Sequence, residues 1–213
     1  MIVYQDNAIL VCRKPAGISS ESGGLPEQLK EATGSSEIYC VHRLDRETGG
    51  LMVYARTKQA AAALSSAITA GKMDKRYLAV VEGEAPESGR LEDLLYHDVK
   101  RNKSYVVTRQ RRGVRDAALV FKRIAFINGL SLVNVQLLTG RSHQIRVQFS
   151  SRGLPLVGDR KYGSQNRALP LALWSAELSF PHPLNGRTLH FSAPPPSDAP
   201  WAYFAAADGF AVL

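Results

Sequence analysis

The 213 residues predict an α+β fold built mainly on antiparallel sheet, with helices flanking it. Three observations carry that prediction. Apolar runs of strand length outnumber stretches with helical periodicity. Two Asn-Gly pairs, Asn128-Gly129 and Asn185-Gly186, each separate apolar runs, the strongest short-range hairpin signal. No internal repeat and no clear linker divides the chain, so a single domain over residues 1–213 is expected.

In chain order, Ile9-Leu10-Val11-Cys12 reads as a strand that stops at the turn Lys14-Pro15-Ala16-Gly17. Residues 18–38 are polar and Gly-containing, with a short helix around Leu25–Ala32. Residues 41–50 form a charged loop closed by a Gly49-Gly50 turn, and Leu51–Ala55 is a buried strand. Thr57 caps a helix that runs to about Ala70, with Ala60, Leu64 and Ile68 on one face and Gly71 as its stop. Tyr77–Val81 is a strand, and residues 100–115 form a basic loop holding Lys100, Arg101, Lys103, Arg109, Arg111, Arg112 and Arg115. The hairpins are Ala118–Ile127 with Leu130–Leu138, and Leu178–Phe180 with Thr188–Phe191. Between them, Ser142–Ser150 is a short helix with Ile145 and Phe149 on one side. Pro194-Pro195-Pro196 ends the regular structure, and the tail Trp201–Ala207 is expected to fold back on the body.

The bulk composition narrows the partners. A chain of this size buries roughly 70% of its unfolded surface, enough for a core without staples. Lys and Arg total 27 against 19 acids, a net charge of +8, which favours polyanions and above all nucleic acid. The two cysteines form no CxxC pair, and no cluster has metal-ligand spacing; Cys12 reads as a core thiol, and both fit a reducing cytosol. The N-terminus lacks a basic region followed by an apolar stretch, so no signal peptide is expected. No segment approaches the ~18 apolar residues of a membrane span. Phosphate-loop, dinucleotide-binding and serine-hydrolase signatures are absent, and the five histidines are scattered.

Two segments place charges beside apolar strands. His42-Arg43-Leu44-Asp45-Arg46 sets an acid between arginines; spacing alone fits a catalytic carboxylate, and fits a surface ion-pair cluster better. Thr139-Gly140-Arg141-Ser142-His143-Gln144-Ile145-Arg146 fits equally a helix N-terminus facing an anion and a capped helix with solvated arginines.

Recognition adds what spacing leaves open. His42 through Leu51 closely resembles the HRLDxxTSGL motif of the RluA family of pseudouridine synthases. Four further segments match family motifs in the same order. They are Lys14-Pro15-Ala16-Gly17 (KPAG), Lys75 through Gly83 (KxYxAxVxG), Thr139 through Val147 (TGRxHQIRV), and Gly153 through Asp159 with Tyr162-Gly163 (GxPIxGDxxYG). The resemblance implies a mixed, largely antiparallel sheet with a central RNA-binding cleft, a catalytic domain lacking the extra N-terminal RNA-binding module of many relatives, and no cofactor or metal. By residue, it implies Asp45 as the essential carboxylate, Tyr77 as the ring against the target base, Arg146 as the cation paired with the aspartate, and Arg43 as the side chain that fills the gap of a flipped base. Departures from the family pattern are Gly49 for serine, Gln148 for histidine, and Trp174-Ser175 for a His-Ala pair.

The implied reaction breaks the uracil N1–ribose bond, turns the base and rejoins it through C5, needing no redox step. The target nucleotide must leave its stack, at a cost of a few kcal/mol. An arginine within hydrogen-bond reach lowers a carboxylate pKa by about 1–3 units and would keep Asp45 ionised. Addition of the carboxylate to ribose, its addition to uracil, and assistance of proton loss from the sugar remain open alternatives. Neutralising Arg109, Arg111 and Arg112 is expected to flatten the salt dependence of RNA binding if the basic stretch contacts phosphate. Ribosomal or transfer RNA, a cytoplasmic location and a monomer complete the expectation. A catalytically silent RNA-binding protein on the same fold is the alternative. A glycosidase ranks last, because it usually wants two carboxylates astride the bond.

Overall fold

The structure is a computed structural model that describes residues 1–207. Eleven strands and three α-helices make an α+β architecture of mostly antiparallel sheet among these residues. They fall into two compact units, each assembled from two chain segments: Met1–Lys75 with Ser175–Ala193, and Arg76–Trp174 with residues 194–207.

In the first unit, β1 (Ile2–Gln5) pairs with β2 (Ile9–Lys14), and β2 with β4 (Gly49–Ala55), both antiparallel. The two-residue β3 (Tyr39–Cys40) also joins β4, and β10 (Leu173–Pro181) pairs with β11 (Thr188–Ser192). Every residue of β4 is buried, as its unbroken apolar run requires of a strand covered on both faces. On one face Ile9, Val11, Leu51, Val53 and Ala55 pack with Ala60 and Leu64 of helix α2 (Lys58–Thr69) and with Leu178 and Phe180. On the other, Leu10, Cys12, Met52 and Tyr54 are equally buried. The Thr57 hydroxyl accepts the Ala60 N–H at 3.1 Å, the expected cap, and helix α1 (Leu25–Thr33) starts where Glu27 accepts the Gly24 N–H at 3.0 Å. Burial pushes the Cys12 thiol up to about 12, which suits an inert core residue.

The second unit is an antiparallel sheet. Its β5 (Asp74–Glu82) pairs with β9 (Leu130–Leu137), β9 with β8 (Val114–Ile127), β8 with β6 (Ser88–Asp98), and β6 with β7 (Lys103–Val107). Helix α3 (Gln144–Ser150) packs on one sheet face, where Phe149 meets Phe121 edge-on at 5.1 Å. Trp201 and Phe204 are buried, so the tail does fold back within this unit.

Several expectations change. Gly49-Gly50 is not a turn but the start of β4. Gly50 has φ +115°, and a Cβ there would lie 2.3 Å from the Ser175 carbonyl oxygen. The motif's glycine serves a close backbone approach. Residues 100–115 are not one loop, since β7 divides them into two turns and Val114 opens β8. The Asn128-Gly129 turn is as expected, with both φ values positive at +52° and +77°. The second hairpin also forms as expected, with Leu178 opposite Phe191 and Phe180 opposite Leu189, and in its connection Asn185 Oδ1 accepts the Arg187 N–H. β1 and β6 were not expected.

Candidate active site

Asp45 stands half-buried in the loop between β3 and β4. Its carbonyl accepts the Thr48 N–H at 3.0 Å, which tightens the Asp45–Thr48 turn. The turn is anchored from below by a residue that sequence reasoning read only as the edge of a turn. Lys14 is fully buried, and its Nζ donates to the carbonyls of Pro15 (3.0 Å), Ile18 (2.8 Å) and Arg46 (3.0 Å). All three ammonium protons are thus used, which satisfies a charge that burial would otherwise expel. Burial pulls this lysine down to about 8, against the pull of the Glu47 and Asp45 charges. Gly17 and Arg46 add a reciprocal pair, Gly17 N–H to the Arg46 carbonyl and Arg46 Nε to the Gly17 carbonyl, both 2.8 Å.

The flanking residues divide by role. His42 accepts the Val53 N–H through Nε2 at 3.1 Å, so its ring buttresses β4, and burial followed by the Lys75 charge pulls it down to about 3. Leu44 is buried, and its carbonyl accepts the Ser20 hydroxyl at 2.9 Å. Arg43 is exposed and meets the equally exposed Glu21 at 3.1 Å, a contact too solvated to hold it in place. In this unit, then, a turn held by buried hydrogen bonds presents one carboxylate beside one exposed arginine.

Tyr77 and Arg146 belong to the second unit, and they share a side of its sheet. Tyr77 is buried on β5 opposite Val135, which pairs in turn with Phe121, the residue under α3. Arg146 lies on α3 and is itself buried. Its guanidinium makes a two-point contact with Asp159, Nε at 2.6 Å and Nη2 at 2.8 Å. Asp159 was quoted in the sequence as part of a motif and given no role. An acid that closes an apolar run, set against an arginine on a helix, was the available signal.

His143, the N-cap residue of α3, makes no side-chain cap hydrogen bond, and the turn before it is closed by Gln144 instead. Gln144 Oε1 accepts the Thr139 hydroxyl (2.8 Å) and the Arg141 N–H (3.0 Å), and α3 has only seven residues. Of its two arginines, Arg141 is exposed and donates to the Asp116 carbonyl, whereas Arg146 is not solvated. Gln148, one of the departures, is buried and donates to Asp93 at 2.7 Å. Ser175, another, donates to the Leu51 carbonyl at 3.0 Å. No group of three or more His, Cys, Asp or Glu is placed to hold a metal among the described residues.

Comparison with known proteins identifies the family. The family model for RNA pseudouridylate synthase matches residues 8–151. Ribosomal large subunit pseudouridine synthase D of Zymomonas mobilis is 33% identical, over 92% of this chain and 69% of the relative. The dual-specificity RNA pseudouridine synthase RluA of Vibrio vulnificus is 39% identical, over 85% and 78% respectively. In fold, the chain is similar to human RNA pseudouridylate synthase domain containing 1 (TM-score 0.80, 23% identity, 92% of this chain and 83% of that one) and to domain containing 4 (TM-score 0.76, 24% identity, 92% and 88%). This chain therefore belongs to the RNA pseudouridylate synthase family of isomerases.

Proposed function

We propose that this protein isomerises particular uridines of ribosomal or transfer RNA, with Asp45 as the catalytic carboxylate. The observation that carries the reading is the family match over residues 8–151, which contains Asp45, Tyr77 and Arg146 and draws on both units. The local geometry supports Asp45 in particular: a half-buried acid on a turn that a fully buried lysine pins through three carbonyls. Such preorganisation suits a group that must meet a reacting atom at a set position.

In this reading Tyr77 offers a flat, buried ring for the uracil, and Arg146 supplies the positive charge that serves the carboxylate. Arg43, exposed and weakly held, is able to swing into the space a flipped nucleotide vacates. The balance is internal to the substrate. The N1–C1′ bond breaks, a C5–C1′ bond forms, the proton leaves C5, and N1 takes one up. The RNA is bound through the basic surface, and the protein acts in the cytoplasm as a monomer. No helix among the described residues is long and apolar enough to cross a membrane.

The test is tritium release from RNA labelled at uridine C5, taken from cells that lack this gene. Wild-type protein is expected to release label, and Asp45→Ala to lower the rate at least about 1,000-fold, the scale on which loss of a group that acts in the chemical step is felt. Tight binding without release on any RNA would instead favour a silent RNA-binding protein.

A further inference from the structure

Arg146 is held by more than its carboxylate partner. The Tyr162 ring lies beneath its guanidinium, with the guanidinium carbon 5.2 Å from the ring centroid. Tyr162 ends a short 3-10 turn (Arg160–Tyr162) that begins immediately after Asp159. One turn of chain therefore supplies both the in-plane carboxylate and the ring below it. A two-point carboxylate contact fixes the guanidinium within its plane, and a stacked ring limits motion out of that plane.

The far end of the same ring is tied elsewhere. The Tyr162 hydroxyl accepts the Ser104 N–H of β7 at 2.7 Å and meets His143 Nδ1 at 2.9 Å. Burial pushes the Tyr162 phenol up to about 12, so the hydroxyl keeps its proton within hydrogen-bond reach of His143 Nδ1. His143 holds a left-handed backbone (φ +56°) at the start of α3, three residues before Arg146. The Ser104 hydroxyl closes the circuit by donating to the Ser142 carbonyl at 2.5 Å. Next to Ser104 on the same strand, Lys103 sets its ammonium 5.3 Å from the Tyr162 ring. The Ser150 hydroxyl donates to the Tyr162 carbonyl at 2.6 Å. Ring, hydroxyl and carbonyl of a single tyrosine thus join β7, both ends of α3 and the Arg146–Asp159 pair.

We propose that Tyr162 is a positioning residue for Arg146, and that its hydroxyl couples the basic β6–β7 hairpin to the orientation of that guanidinium. The inference rests on the reading of Arg146 given above and adds the residue that aims it. Tyr162 touches no reacting atom. It transmits, through Ser104 and His143, the alignment that the hairpin has when RNA lies against it. The hydroxyl is the informative atom, because its removal leaves the ring, the stacking and the core contacts in place.

The experiment is a double-mutant cycle with Tyr162→Phe, Arg146→Lys and the pair. It reads single-turnover tritium release from total RNA of a gene-deleted strain labelled at uridine C5. Tyr162→Phe is expected to slow release at saturating enzyme by about tenfold, in line with a small misplacement of a group acting near the chemistry. The half-saturating concentration should move less than about twofold; some loss of melting temperature follows from the orphaned Ser104 N–H, so the saturated rate is the deciding readout. A purely structural role would lower melting temperature and apparent affinity and leave the saturated rate alone. In the Arg146→Lys background the phenylalanine should cost little more, since residues that act through one another are not additive. His143→Asn, which a left-handed backbone accepts, removes the hydroxyl's other partner; it should slow release in the same way, and it decides the matter should Tyr162→Phe fold poorly. An unchanged saturated rate, or a Tyr162→Phe cost that adds in full to Arg146→Lys, overturns the positioning role while Arg146 stands. If Arg146→Lys keeps the wild-type rate, the role given to Arg146 falls, and the inference falls with it.

Discussion

One methyl group tests how closely the Asp45 segment is built. Gly50 runs against the backbone of Ser175 in a left-handed conformation, so Gly50→Ala combines strain with a contact no rotamer relieves. The expected loss is more than about 3 kcal/mol, the range reserved for backbone collisions of this kind, measured by urea denaturation. A loss below about 1 kcal/mol would mean that the two segments separate easily. How much of the residue scale was legible in the sequence follows the same logic. Asp45 was visible only through its motif, because an acid between two arginines looks the same on a solvated surface. Lys14 was hidden by a general expectation that lysines are exposed, and only the fold shows three carbonyls converging on it. Asp159 and Tyr162 stood in a quoted motif, yet their partner Arg146 lies 13 residues from the first of them, beyond any local pattern.

Elements were legible wherever one face alone was wet or a turn demanded particular residues. The Thr57 cap, the Gly71 stop and the Asn128-Gly129 hairpin each rest on local chemistry, and each is where the sequence placed it. β6 was missed for a physical reason. Its buried leucines, Leu91 and Leu95, are four apart, which suggests a helix, and the alternation is broken at Asp93. That carboxylate is held by Gln148 and Arg152, so a charge occupies a position where strand periodicity calls for an apolar side chain. β1 is short and mostly exposed, and leaves no pattern to read. The basic segment is better ordered than a loop: Arg111 stacks on Tyr96 with its guanidinium carbon 4.9 Å from the ring, and Arg109, Arg111 and Arg112 are all exposed on the turn between β7 and β8. Replacing these three with Gln should reduce the slope of log affinity against log salt by about 2, at roughly 0.7 per phosphate contact for single-stranded RNA. An unchanged slope in filter-binding titrations would remove this turn from the RNA surface.

At the scale of the molecule, acid stability carries the mark of one buried ring. His42 has an ordinary value of 6.5 and is pulled down to about 3 by burial, so across that interval the unfolded chain holds a proton that the folded chain refuses. Its contribution is fully present above pH 6.5 and is lost as pH falls toward about 3, with a slope of at most about 1.4 kcal/mol per pH unit. His42→Gln, which can still accept the Val53 N–H, should flatten the acid limb of stability between pH 6.5 and about 4 in urea titrations at successive pH values. Parallel limbs for the two proteins would mean that His42 protonates without unfolding the site. The RNA partner came through the family motifs, the charge of +8 pointing only to a polyanion, whereas the α+β class and the antiparallel pairing were legible from strand pattern and turn chemistry. The division into two interleaved units was not, because nothing in composition changes at Lys75, Trp174 or Ala193. That interleaving sets a timetable for synthesis. Strand β4 pairs with β2 on one edge, and β3 meets only Tyr54 and Ala55, so the first 75 residues leave the ribosome before the β10 neighbour of β4 exists. Nearly a hundred further residues must emerge before β10 can join it, and for that interval the nascent chain exposes the part of this apolar strand's edge that β3 leaves uncovered, which a chaperone must shield or which must wait for its distant continuation.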